Sequence, residues 1–211
     1  MRLLEYLHDE QDYPSEVIEY IVENVNINFL KELNKVEKFV YRGSNTYFKT
    51  ETYKVKDRNM DDREPTALHQ YIHDKFNLYS LKKFGWKIRN GVFTTGNIEN
   101  AEIFGDAYLF FPISDYKFLW STKIEDVNFE DKYEQYSSPN WAIFGLDDRD
   151  KQIIDKNVIS DIKTYKNTNL EGAVNSGHEI IFNCKKYILV NLHYEEQYKE
   201  YYHWKSRRIK W

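Results

Sequence analysis

Helical periodicity fills the first third of this chain, and short apolar runs rich in β-formers fill most of the rest, without regular alternation between them. Behind Pro14-Ser15-Glu16, the residues Val17, Ile18, Ile21, Val22, Val25, Phe29, Leu30 and Leu33 keep helical spacing and predict one amphipathic helix. A strand follows over 38–41, ending in Arg42 and turning on Gly43, and a second, loosely alternating one covers 47–55. A charged loop is expected over 56–63. Thr66 opens a second helix that buries Leu68, Tyr71, Ile72, Phe76 and Leu81 and closes at Gly85. Beyond it come a strand over 86–95, a short helix over 98–104, and neighbouring strands over 108–111 and 116–120 joined across 112–115. Helical stretches are expected over 127–136 and 153–165, a polar loop over 167–177, and closing strands over 178–184 and 187–192. Such an order excludes a repeating β-α-β unit and predicts an α+β fold with a mixed or antiparallel sheet.

At 211 residues the chain is long enough to bury one substantial core. No repeat or low-complexity linker divides it. The expected layout is a helical part over 1–37, a sheet-rich core over 38–192 and a basic, aromatic segment over 193–211. A net charge of −4 gives no global field that would favour nucleic acid or membrane. No apolar run spans a bilayer, and Met1-Arg2-Leu3-Leu4-Glu5 acquires acid too early for a secretory leader, so a reducing cytoplasm is the expected location. Cys184, the single cysteine, excludes an intrachain disulfide and sits in an apolar run as a buried thiol.

Three strand edges carry chemistry. Phe39-Val40-Tyr41-Arg42 delivers a planar fork of donors suited to phosphate. Val92-Phe93-Thr94-Thr95 ends in two hydroxyls, and Gly177-His178-Glu179-Ile180 opens a strand with a carboxylate. Arg89, just before the Thr94-Thr95 strand end, is a further candidate phosphate contact. His69 and His73 have the i, i+4 spacing of a metal pair but lack a third ligand, so no metal is expected. Asp61-Asp62 and Asp147-Asp148-Arg149-Asp150 lack the spacing of a calcium loop and read as solvated acids. The run 204–211, basic with a tryptophan at each end, is the segment best suited to a nucleic-acid backbone.

In their order along the chain, these motifs resemble the ADP-ribosyltransferase superfamily, in the branch marked by Arg, Ser-Thr-Ser and Glu. Val40-Tyr41-Arg42-Gly43 matches the first element, and Phe93-Thr94-Thr95-Gly96 stands at the Ser-Thr-Ser strand. Ala101, Phe104 and Gly105 match the helix after it, 108–112 the next strand, and Glu179-Ile180-Ile181-Phe182 the acid strand. The middle of the chain, from Arg63-Glu64-Pro65-Thr66 through Phe84-Gly85-Trp86 to Trp120-Ser121, also resembles bacteriophage and prophage proteins, and that resemblance keeps Arg63 as a candidate contact. The resemblance implies an ADP-ribosyltransferase-like fold and NAD as substrate, with ADP-ribose passed to a protein or nucleic-acid acceptor. It assigns Glu179 as the catalytic acid, Arg42 to the pyrophosphate, Gly43 to the nicotinamide amide, and Thr94 with Thr95 to buttressing the acid. An aromatic among Phe104, Tyr108 and Phe111 would stack on nicotinamide. Arginine-modifying members carry Gln or Glu two residues before the acid, where this chain has Gly177, so acceptor recognition would fall to Gly177 and its neighbour His178. An NAD glycohydrolase, or a silent binding or phage structural module of the same fold, are the alternatives.

Overall fold

The computed structural model describes residues 15–45, 53–58, 63–65, 68–113, 115–136 and 145–192. It is an α+β fold built on one antiparallel sheet. Helices α1 (Ser15–Asn24) and α2 (Ile27–Val36) replace the single expected helix. The break falls at Asn26, whose side chain accepts the Asn28 N–H, while Val25 bridges to Ile113 in the sheet. An amide that caps its own second residue starts a new helix.

The strands are β1 (Tyr41–Ser44), β2 (Tyr53–Asp57), β3 (Val92–Thr95), β4 (Asp106–Ile113), β5 (Lys117–Ser121), β6 (Tyr165–Lys166), β7 (Glu179–Asn183) and β8 (Lys186–Asn191). Between them lie α3 (Gln70–Phe84), α4 (Ile98–Glu102), α5 (Asp131–Glu134), α6 (Asp148–Thr164) and α7 (Leu170–Ser176), with 3-10 turns at Ile88–Asn90 and Val127–Phe129. The 127–136 stretch is thus a turn plus one short helix. The 167–177 stretch, expected as loop, holds α7, whose Leu170, Ala173 and Val174 are buried at i, i+3, i+4. The expected strand positions at 47–52, the acids at 61–62, Thr66 and the 193–211 tail lie outside the described residues.

The sheet order is β2-β8-β4-β1-β3-β7-β5-β6. β4 and β5 follow one another in sequence but are not neighbours: β4 pairs with β1 and β8, and β5 with β7 and β6. β7 and β8 are likewise separated despite their short connection. Successive side chains on a strand face opposite ways, and β5 and β7 each feed two cores. Ile180, Phe182 and Trp120 join Phe29, Phe110 and the α1, α2 and α7 residues on one face. Ile181 and Leu119 join Ile72 and Phe76 of α3 and Ile154 and Val158 of α6 on the other. Phe29, fully buried, meets Phe110, Phe111, Tyr116 and Phe182 edge-on, and such a ring contributes about 1.5–3 kcal/mol by leaving water.

The middle of the sheet is a seam. β1 and β3 share one register pair, Tyr41 opposite Thr95, whereas β3 and β7 share four. Guanidinium groups supply donors to the backbone along the β3 side. Arg42 Nη1 donates to the Phe93 carbonyl (2.9 Å), and Arg58 donates to Asn90 from Nε and to Gly91 from Nη2 (2.9 Å each). Arg63 Nη1 donates to the Arg89 carbonyl at 3.3 Å. Arg58 and Arg63 are therefore half-buried structural cations rather than members of a solvated loop.

Candidate functional site

Where the seam opens, a cleft of about 700 Å³ is lined by Arg42, Gly43, Thr94, Thr95, Phe104, Gly177 and Glu179, residues from β1, β3, the end of α4 and the start of β7. Its volume lies within the range of small-molecule sites. The family resemblance groups these residues, and the fold brings them to one cleft.

Glu179 is held at the mouth of β7 by its backbone N–H, which donates to the Glu125 carbonyl at 2.7 Å. Its side chain is 8 % exposed, and its Oε1 has no hydrogen-bond partner among the described residues. Burial, reinforced by the charge of Asp126, pushes its carboxyl up to about 8, against the pull of Arg89 and Arg63. Thr95 faces Glu179 across the ladder, and its hydroxyl donates to the Gly177 carbonyl at 2.6 Å. Thr94 donates to the Ile180 carbonyl at 2.8 Å. The hydroxyl pair thus buttresses the acid through the backbone on either side of it.

Gly43 lies inside β1 rather than at a turn. A Cβ there would stand 1.9 Å from the Ala101 carbonyl oxygen, so it is α4 that requires the glycine, by close backbone approach. Gly177 caps α7 at φ 72, a left-handed conformation that disfavours the Gln or Glu found there in arginine-modifying enzymes. Its carbonyl also accepts from Asn100 Nδ2 at 3.0 Å.

Two expected positions fall away from the cleft. Tyr108 is fully buried in β4 and is not among the lining residues; Phe111 is likewise in the core, edge-on to Phe29 and Phe39. Phe104, 43 % exposed, is the aromatic of the three that lines the cleft. His178 turns toward β5, its Nδ1 donating to the Ser121 carbonyl at 2.9 Å, and it does not line the cleft.

The fold adds groups that sequence left open or unassigned. Arg89, 5 % exposed, has Nη1 3.8 Å from Glu179 Oε1, with Nη1 and Nε both lacking hydrogen-bond partners among the described residues. Its Nη2 donates to Asn128 Oδ1 at 3.1 Å. The guanidinium carbons of Arg63 and Arg89 stand 4.5 and 4.6 Å from the centre of the Phe93 ring. Burial and the neighbouring Arg58, Arg89 and Arg42 lower Arg63 to about 10, so it remains a cation at neutral pH. Glu125, Asp126 and Glu130 line the cleft from the segment after β5. His73, buried and pushed down to about 4 by desolvation and by Arg89, is neutral; its ring meets Asn77 at 3.0 Å. His69 instead caps α3, its Nδ1 accepting the Tyr71 N–H, so the two histidines form no metal pair. No cluster of potential metal ligands occurs among the described residues.

Cys184 is buried and its thiol is pushed up to about 12, as expected of a structural cysteine. Asp147 caps α6 by accepting the Asp150 N–H, which places that acidic run at a helix start, where negative charge is favourable. No helix among the described residues is long and apolar enough to cross a membrane.

Comparisons with protein-family models, with curated proteins and with solved structures gave no match to this chain.

Proposed function

We propose that the cleft binds NAD and that the chain is a mono-ADP-ribosyltransferase, cleaving the nicotinamide–ribose bond and passing ADP-ribose to a macromolecular acceptor. The observation that carries this reading is the convergence of Arg42, Thr94, Thr95 and Glu179 on one cleft, with the Glu179 Oε1 buried and lacking a hydrogen-bond partner among the described residues. A dinucleotide combines an anionic pyrophosphate with a cationic nicotinamide ring. The cleft offers Arg42, Arg63 and Arg89 to the first and Glu179 to the second.

NAD supplies a leaving group whose departure puts positive charge on the ribose. Glu179 favours that charge more strongly than the ground state, because its carboxylate is fixed in a site already stripped of water. Its raised affinity for a proton falls when a cationic ring lies against it, so substrate and ionised acid reinforce one another. Arg42 has committed Nη1 to Phe93, which leaves the rest of its fork for phosphate oxygens. Phe104, which lines the cleft at its rim, would be the ring to stack on nicotinamide. A second reading, NAD glycohydrolase, draws on Gly177, which presents no side chain toward an acceptor.

Labelled NAD incubated with the protein and cell lysate tests the assignment, with Glu179→Gln as control. The expected result is nicotinamide release and a labelled macromolecule, both lost in the variant. Release without labelling selects the glycohydrolase, and neither release nor labelling ends the NAD reading.

A further inference from the structure

Besides Glu179, three acids from another part of the fold line the cleft: Glu125, which is exposed, Glu130, which pairs with Lys132 at 3.3 Å, and the half-buried Asp126. Asp126 lines the same cavity as Glu179, Arg89 and Asn128. The segment bearing it is fixed at several points. Ser121 Oγ accepts the N–H groups of Lys123 and Ile124, and the Glu125 carbonyl takes the Glu179 N–H. Ile124 and Val127 are buried, and Asp126 itself accepts the Asn128 N–H at 2.7 Å. Further on, Lys132 Nζ and the Tyr133 hydroxyl both donate to Asp161 of α6 at 2.7 Å. A second observation marks the place as built for a ligand: Arg89 Nε and Nη1 and Glu179 Oε1 are buried on this wall without partners among the described residues.

We propose that Asp126 is the general base of the cleft, taking the proton of a hydroxyl acceptor, water being the smallest, as that oxygen bonds to the ribose carbon. The inference rests on the NAD reading above. In the step, the bond from ribose to the nicotinamide nitrogen breaks and its electron pair stays on that nitrogen. The acceptor oxygen forms the new bond, and its proton passes to the Asp126 carboxylate. Glu179 keeps its charge for the ribose. Two carboxyl groups in one site divide roles in this way when their surroundings differ. Glu179 is buried beside Arg89, whereas Asp126 is half-buried. The charged groups that act on Asp126 are Arg89 and Glu125, and its own charge acts on Glu179.

The test uses the full chain, NAD, and water or added methanol as acceptor, following nicotinamide release and methyl ADP-ribose against pH. Asp126→Asn and Asp126→Ser both retain a side chain able to cap the Asn128 N–H, so the fold is kept. Each should bind NAD within about threefold of wild type by calorimetry and lose roughly a hundredfold in kcat, as removal of a general base does. The acidic limb of the remaining activity should also move to lower pH, because Glu179 loses a negative neighbour. Asp126→Glu should restore part of the rate. Unchanged kcat and pH profile in both capped variants, with wild type active, would overturn the general-base role and leave the NAD reading standing. A wild type that neither binds nor cleaves NAD overturns both.

Discussion

Nη1 of Arg89 lies 3.8 Å from Oε1 of Glu179, too far for a hydrogen bond, and neither atom has a hydrogen-bond partner among the described residues. A buried cation and acid held just apart leave two donor atoms and an acceptor atom unspent. The cost of burying them is offset only when a ligand, or a proton on the acid, completes the arrangement.

The proton on Glu179 makes the fold pH-dependent. Its folded value, about 8, lies above the ordinary 4.5, so the native state holds a proton that the unfolded chain releases. Stability from this group is complete below about pH 4.5 and declines as pH rises through about 8. Glu179→Gln should melt with wild type at pH 4 and several degrees above it at pH 9, by calorimetric scans at matched salt. Equal melting at both values would remove Glu179 as the cause.

Arg89 lowers the proton affinity of both Glu179 and His73. Arg89→Met should raise both. NMR titration should show the His73 ring protonating at higher pH than in wild type, independently of any activity. Nicotinamide release, where measured, should need a higher pH to reach its half-maximum.

Gly43→Ala brings a methyl group against a carbonyl oxygen that belongs to the α4 backbone and has no flexible end to yield. The cost should be roughly 2–3 kcal/mol, read as a lower urea midpoint with unchanged slope. A neutral result would mean that α4 can shift away from β1.

Thr95→Val removes the 2.6 Å bond to Gly177 and the acceptor of the Asn97 N–H while keeping the β-branched shape. About 1–2 kcal/mol of stability should be lost; Asn100 still donates to the Gly177 carbonyl, but the Asn97 N–H loses its acceptor. Transferase or glycohydrolase turnover should fall further than this loss suggests, because the turn before Glu179 loosens. Comparison with Thr94→Val, whose hydroxyl serves Ile180 beyond the acid, separates the two supports.

The parts of this site legible in sequence were those at the edges of apolar runs. Arg42, Thr94, Thr95 and Glu179 each punctuate an apolar run, and the family resemblance of their order did the grouping. Arg89 sits in a 3-10 turn inside what reads as strand, and Asp126 in an acidic stretch whose pattern is that of a solvated loop. Their roles depend on which segments the fold lays beside Glu179, and local periodicity carries no record of that. The same limit explains β4 and β5, two apolar runs that look like a hairpin yet pair elsewhere. Gly43 gave a true signal with the wrong cause: it marks a neighbouring helix rather than a turn. α7 escaped notice because three buried residues in seven leave its polar face to dominate the sequence.

The seam between β1 and β3 separates β2-β8-β4-β1 from β3-β7-β5-β6. The chain passes from one set to the other between β2 and β3, β3 and β4, β4 and β5, and again between β7 and β8. No contiguous fragment therefore consists of one half alone. A break in the backbone cannot release two self-sufficient pieces, and rearranged termini would have to preserve every one of these passages. The two walls of the cleft are woven from the same thread, so they assemble together or not at all.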